Sequence, residues 1–178
     1  MIYSIQDVSG KGRGAVAVNR GTLVLSEKRL FKIPSAAHGE AEAYRQIAQQ
    51  LERLENPDQR RYFELQNDHS SLDPILGIAK ANAIPLGTNA MEGGIFLGCS
   101  RFNHSCGANA AYSRNARKNE GRIYALKDIQ DGEEITVSYV PEAIAYLPKD
   151  DRRKRINQED ALSLRLCPLY SECGNNFS

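Results

Sequence analysis

The chain has 178 residues, of which 41% are apolar and 25% charged, and a formal net charge of +1. These proportions suit one globular domain with a buried core and exclude a disordered chain. The near-neutral balance also argues against wholesale binding to nucleic acid or to an anionic membrane.

Met1–Gly10 has no basic start followed by an apolar run, so a secretory signal is not expected. No stretch approaches the roughly 18 apolar residues that a bilayer span requires. Without an export signal, Cys99, Cys106, Cys167 and Cys173 read as free thiols or metal ligands rather than disulfides. The expected location is the nucleus or cytoplasm.

In chain order, Tyr3–Val8 reads as a strand, followed by the glycine turn Gly10-Lys11-Gly12-Arg13-Gly14. Ala15–Val18 and Thr22–Ser26 are the next strands, divided by Asn19-Arg20-Gly21. The period then changes, and Tyr44, Ile47, Ala48, Leu51 and Leu54 recur at helical spacing. Asn56-Pro57 stops that helix and starts another, with Asn56 as N-cap and Tyr62, Phe63 and Leu65 as the buried side. Asp73-Pro74 repeats the start signal before Ile75–Ala81. After Pro85, short apolar runs at Gly94–Leu97, Ala108–Ser113, Arg122–Leu126 and Glu134–Val140 read as strands, with a tight turn at Asp131-Gly132. From Pro141 onward the pattern is helical and charged, and Arg152-Arg153-Lys154-Arg155 reads as a solvated helix face. There is no internal repeat, and no feature specifies an oligomer.

The segments that could carry chemistry are few. Arg101-Phe102-Asn103-His104-Ser105-Cys106-Gly107-Ala108-Asn109 packs polar side chains between apolar strands. Burying groups at that density is costly unless each finds a partner, so they serve either their own turns or a ligand. Asp131-Gly132-Glu133-Glu134-Ile135-Thr136-Val137-Ser138-Tyr139 is a turn feeding a strand that ends on a tyrosine. The glycine turn at 10–14 lets backbone approach a ligand, but lacks the flanking helix of a dinucleotide or P-loop fingerprint. His38 and His69 lie in polar stretches and read as surface residues.

Taken together and in this order, the segments resemble the SET domain family of lysine methyltransferases. Asn103-His104-Ser105-Cys106 is similar to the family's most diagnostic motif. Gly132-Glu133-Glu134-Ile135 through Tyr139 resembles its closing motif, and Lys11-Gly12-Arg13-Gly14-Ala15 its opening one. Ala81-Asn82-Ala83-Ile84-Pro85-Leu86 is similar to the branch that includes the SET and MYND proteins, fungal members in particular, although no MYND finger is visible.

The resemblance implies a mainly β fold with a helical insertion. It places the SET domain at 1–140, the insertion at about 34–83, and a helical, incomplete tail at 141–178. The Asn103 segment and the strand before Tyr139 would cross as a pseudoknot. The implied activity is methyl transfer from S-adenosylmethionine to a lysine of a protein substrate, histone or otherwise. Lys11, Gly12, Arg13, Asn82, Asn103, His104 and Tyr139 would contact the cofactor, and Tyr139 would be catalytic. The other reading is a SET fold kept as a protein-interaction module.

Two departures stand out from the family pattern. Ala108 occupies a position where a proline is common. The family's tail zinc site takes Cys106 and three further cysteines, whereas only Cys167 and Cys173 follow here. A structural zinc site needs four N or S ligands, so no structural zinc is expected.

Overall fold

The computed structural model describes residues 17–34, 39–87, 92–105 and 107–139, the backbone of short strands at 5–7 and 13–15, and the single positions 148 and 151. β1 (Ile5–Asp7) and β2 (Arg13–Ala15) pair antiparallel, with Ile5 opposite Ala15. The chain then turns through Asn19–Thr22, where Gly21 takes a φ of 82° and Thr22 N–H closes on the Asn19 carbonyl at 3.2 Å. A positive φ is the backbone state that glycine reaches without a Cβ clash.

β3 (Leu23–Lys28) joins the larger sheet and β4 (Phe31–Ile33) the smaller. The helices follow: α1 (Glu40–Glu52), α2 (Asn56–Phe63) and α3 (Pro74–Asn82). β5 (Ile84–Pro85) and β6 (Gly93–Ile95) complete a three-stranded sheet in the order β4-β6-β5. Pro85 stands on an edge strand, where its missing N–H costs no ladder bond. A 3-10 turn at Cys99–Arg101 leads into β7 (Asn103–His104). β8 (Ala110–Asn115) and β9 (Glu120–Ala125) form a hairpin, and β10 (Thr136–Val137) is the last described strand. The larger sheet has the order β3-β9-β8-β10-β7.

The architecture is therefore mainly β with a helical insertion, as the resemblance implies. Two apolar clusters fill it. One, under the larger sheet, gathers Val18, Val24, Phe96, Phe102, Ile123, Ile129, Ile135 and Val137. The alternation of β9 explains its share, since Gly121, Ile123 and Ala125 face inward while their neighbours do not. The other joins the helices to the smaller sheet through Phe31, Ile47, Leu51, Tyr62, Leu76, Ile78 and Ile95.

Details within the helices differ from the sequence reading. Tyr44 is 38% exposed, because the inward stripe of α1 runs through Ala43, Ile47 and Leu51, one residue around from it. Phe63 is 51% exposed. Neighbouring helix positions are about 100° apart, so burial of Tyr62 turns Phe63 outward. Its ring meets that of Tyr62 edge-on at 5.4 Å, while the Tyr62 ring lies 5.3 Å from that of Phe31 in a tilted contact. α2 is capped at Glu55 rather than Asn56, with Pro57 in its first turn. The start of α3 is as read: Asp73 is its N-cap and accepts from Ile75 N–H at 2.9 Å. The strands β4, β5 and β7 are too short to leave a period-2 signal, and each exists because another strand supplies its ladder.

Candidate active site

The site is made where β10 passes between β7 and β8. Its pairing is parallel on both sides, with Thr136 opposite Asn103, Val137 opposite His104, and Val137 also opposite Ala110. Ser105 N–H donates to the Val137 carbonyl at 3.1 Å. Residues 103 and 136 thus become neighbours although the whole β8–β9 hairpin separates them in sequence.

The approach to β7 is held from far away. The Glu27 carboxylate on β3 accepts from Gly98 N–H at 2.8 Å, and also from Cys99 N–H. These N–H groups open the 3-10 turn, where intrahelical partners are missing. A Cβ at Gly98 would lie 3.1 Å from Glu27 Oε1 and 3.0 Å from Leu25 Cδ2, so a larger residue would press on both side chains. Burial pushes the Cys99 thiol well up, and the Glu27 charge adds to it. Phe102 is buried in the core, which leaves Asn103 and His104 part-exposed at the crossing.

Tyr139 follows β10 and is 36% exposed. Its N–H donates to His104 Nδ1 at 2.9 Å, its hydroxyl donates to the Phe102 carbonyl, and its ring lies 5.3 Å from that of His104 at 46°. Acceptance at Nδ1 requires that nitrogen to be unprotonated. Asn103 Nδ2 donates to Glu134 Oε1 at 2.6 Å. Asn109, buried, is bonded to Glu133, Glu134 and Thr136. Glu133 also accepts from Gln130 N–H at 2.9 Å. That backbone bond and the Asn109 amide hold its carboxyl below the ordinary carboxylate value. Gly132 makes the preceding turn with a φ of 74°.

The structure therefore brings Asn103, His104 and Tyr139 together. Asn82, the last residue of α3, makes no hydrogen bond to them among the described residues. It is 6% exposed, and its amide donates to the Gln66 carbonyl at 2.6 Å and the Ile78 carbonyl at 2.8 Å. It meets the β7 approach through its backbone carbonyl, which accepts from Ser100 Oγ at 3.0 Å. Arg13 lies in β2, where its backbone alone is described. Lys11, Gly12, Cys106, Cys167, Cys173, His38 and the basic run 152–155 lie outside the described residues, as does most of the expected helical tail. Among the described residues, no group of His, Cys, Asp and Glu is arranged to hold a metal, and no helix is long and apolar enough to cross a membrane.

Sequence reasoning gave no role to Glu27, Asn109, Glu133 or Glu134. The last three stood in quoted motifs, and the signal available was a polar residue directly abutting an apolar run. Nothing local to Glu27 marks it, because its partners lie 71 and 72 residues away.

A curled sheet with one strand passing between two others, and a tyrosine brought onto an Asn-His pair, defines a recognisable class of domain. The family model of the SET domain matches residues 13–140, and the chain belongs to that family. It is 30% identical over 143 residues to the histone-lysine N-methyltransferase set5 of Schizosaccharomyces pombe, a match covering 78% of this chain and 42% of that protein. It is 36% identical over 70 residues to the histone-lysine N-methyltransferase SET5 of Scheffersomyces stipitis, covering 39% and 14%. The matched region thus spans less than half the length of either relative. The solved SET domain of LSMT, bound to lysine and AdoHcy, is similar in fold, with a TM-score of 0.50 at 12% identity over 79% of this chain and 49% of that one.

Proposed function

We propose that this SET domain transfers a methyl group from S-adenosylmethionine to a lysine side chain of a protein, with Tyr139 at the reacting centre. The observation that carries the reading is the joining of Tyr139 to Phe102 and His104 across the β7–β10 contact. The residues there suit the cofactor's amino-acid and adenine groups. Asn103 Oδ1 accepts no hydrogen bond among the described residues, and Asn103, His104 and Tyr139 are all reachable from solvent. Lys11, Gly12 and Arg13 would add to that contact. Asn82 would offer it only Oδ1, since its amide is already engaged.

S-adenosylmethionine supplies an electrophilic methyl on a sulfonium. What the chain must add is alignment, because an in-line displacement gains most from fixed geometry. A lysine with a pKa of about 10.4 in water must also arrive neutral, which an apolar channel and a nearby positive charge both favour. The Tyr139 hydroxyl, now on the Phe102 carbonyl, is the group proposed to orient that amine.

Calorimetric titration with S-adenosylmethionine, followed by methyl transfer to histones and other lysine-bearing proteins, tests this reading. Tyr139→Phe should lower turnover by about tenfold or more, as expected for a hydrogen bond to a charged centre. Cofactor affinity should hold, because the bond matters mainly in the transition state. Asn103→Ala should instead weaken cofactor binding by about 1–3 kcal/mol. Wild-type turnover should rise above neutral pH as lysine loses its proton. Absence of both binding and transfer would overturn the reading and favour a protein-interaction module.

A further inference from the structure

Asn109 is only 3% exposed yet carries a carboxamide, a group that is costly to bury without partners. Both amide hydrogens and the oxygen are engaged. Nδ2 donates to the Glu134 carbonyl at 2.8 Å and to Glu133 Oε1 at 3.0 Å, while Oδ1 accepts from Thr136 N–H at 2.8 Å.

The pairing of a carbonyl with the N–H two residues further on has a specific meaning. In a parallel ladder, one residue of the neighbouring strand meets both, donating to the first and accepting from the second. β8 and β10 are parallel, with Ala110 opposite Val137. One ladder step upstream, Ile135 would face the backbone of residue 108. The Asn109 side chain occupies that step instead and acts as a substitute strand residue. Ile135 is thereby held fully buried while the polar groups on either side of it stay satisfied.

We propose that Asn109 is a positioning residue for Tyr139. It completes the β8–β10 ladder at the entry to β10 and so fixes where the chain emerges three residues later. On the other side, β10 is held at Val137 by Ser105 and at Tyr139 by His104. Asparagine suits the position because it both donates and accepts at this reach. Aspartate keeps only the acceptor, and alanine keeps neither. The kinetic part of the proposal rests on the methyl-transfer reading, but the structural part does not.

Amide hydrogen exchange and kinetics on the whole chain test it. In the wild type, Thr136 N–H should be protected to the same degree as Ser105 N–H; free exchange at Thr136 would overturn the proposal without any variant. In Asn109→Ala, Thr136 and Tyr139 N–H should lose protection while Ile123 in β9 keeps it. Turnover should fall about ten- to a hundredfold, as for an ångström-scale misplacement, with cofactor affinity nearly unchanged. Full turnover in a folded variant, or affinity falling in step with turnover, would overturn it. Should that variant fail to fold, Asn109→Asp decides. Its turnover relative to wild type should climb as pH falls and the new carboxyl regains a proton to donate to Glu134, and a flat ratio would count against the proposal. A wild type without transfer activity would sink only the methyl-transfer reading, and the exchange of Tyr139 N–H would still decide the role of Asn109.

Discussion

The helical core around Tyr62 and the strand crossing around Asn109 both bury polar groups, but they find partners over different distances. Around Tyr62 the bonds are short in sequence. Its hydroxyl donates to the Ile75 carbonyl at 2.7 Å, Gln59 donates to the Leu51 and Leu54 carbonyls at 3.1 and 3.0 Å, and Asn82 donates to Ile78 and Gln66. At the crossing, Asn103, Asn109 and Tyr139 bond to residues 24 to 37 positions away, and Glu27 reaches further still. A region tied locally can vary in detail without disturbing a site elsewhere. A region tied across the chain couples its stability to the geometry it presents.

The sharpest test of this contrast is Tyr62→Ala. It removes a fully buried ring that packs on Phe31 and holds α2 to α3. The expected cost is about 3–5 kcal/mol of stability, as for other large buried aromatics, measured by urea denaturation. The protein that remains folded should keep the β7–β10 exchange protection of the wild type. Loss of that protection in folded protein would break the contrast.

Glu27→Ala should cost less, about 1–3 kcal/mol, because it leaves Gly98 and Cys99 N–H without their acceptor. Its effect should fall on the crossing, so Asn103 and His104 amides should exchange faster while those of α1 do not. Removing the carboxylate should also bring the Cys99 thiol down from its raised value. Residue-specific alkylation should then detect Cys99 more readily than in the wild type.

The smallest expected effect is on the acid side of the pH profile. Glu133 is depressed below 4.5, chiefly by the Gln130 backbone and then by Asn109. A depressed carboxyl stabilises the fold above its unfolded value, and that contribution is lost as pH falls through the folded one. Away from the crossing, Glu40 on α1 and Glu92 beside the smaller sheet are likewise depressed, by Lys80 and Lys32, but through exposed ion pairs. Salt screens such pairs. High salt should therefore remove the Glu40 and Glu92 share of the acid sensitivity and leave the Glu133 share. Denaturation of Glu133→Gln against pH should show less loss below 4.5 than the wild type at either salt, and an unchanged profile would remove Glu133 from the account.

What was legible in the sequence was what neighbouring residues settle among themselves. Asp73-Pro74 starts a helix because the aspartate reaches an N–H two residues on, and Asn19-Arg20-Gly21 turns because glycine tolerates a positive φ. The motifs around Asn103, His104 and Tyr139 could be picked out through a family resemblance, which identifies residues without deriving their contacts. The tertiary structure alone decided the rest. β7 is a strand of two residues, too short for any periodicity, and β10, read as a strand over Glu134–Val140, forms only at Thr136–Val137, where β7 and β8 supply its ladder. Asn109 takes the part of a backbone residue only because β10 lies beside β8, and Glu27 serves the site only because the fold brings β3 to Gly98. Hydrogen bonds act over about 3 Å. A contact between residues far apart in sequence is therefore fixed by the packing that closes the chain between them, and no local pattern records it.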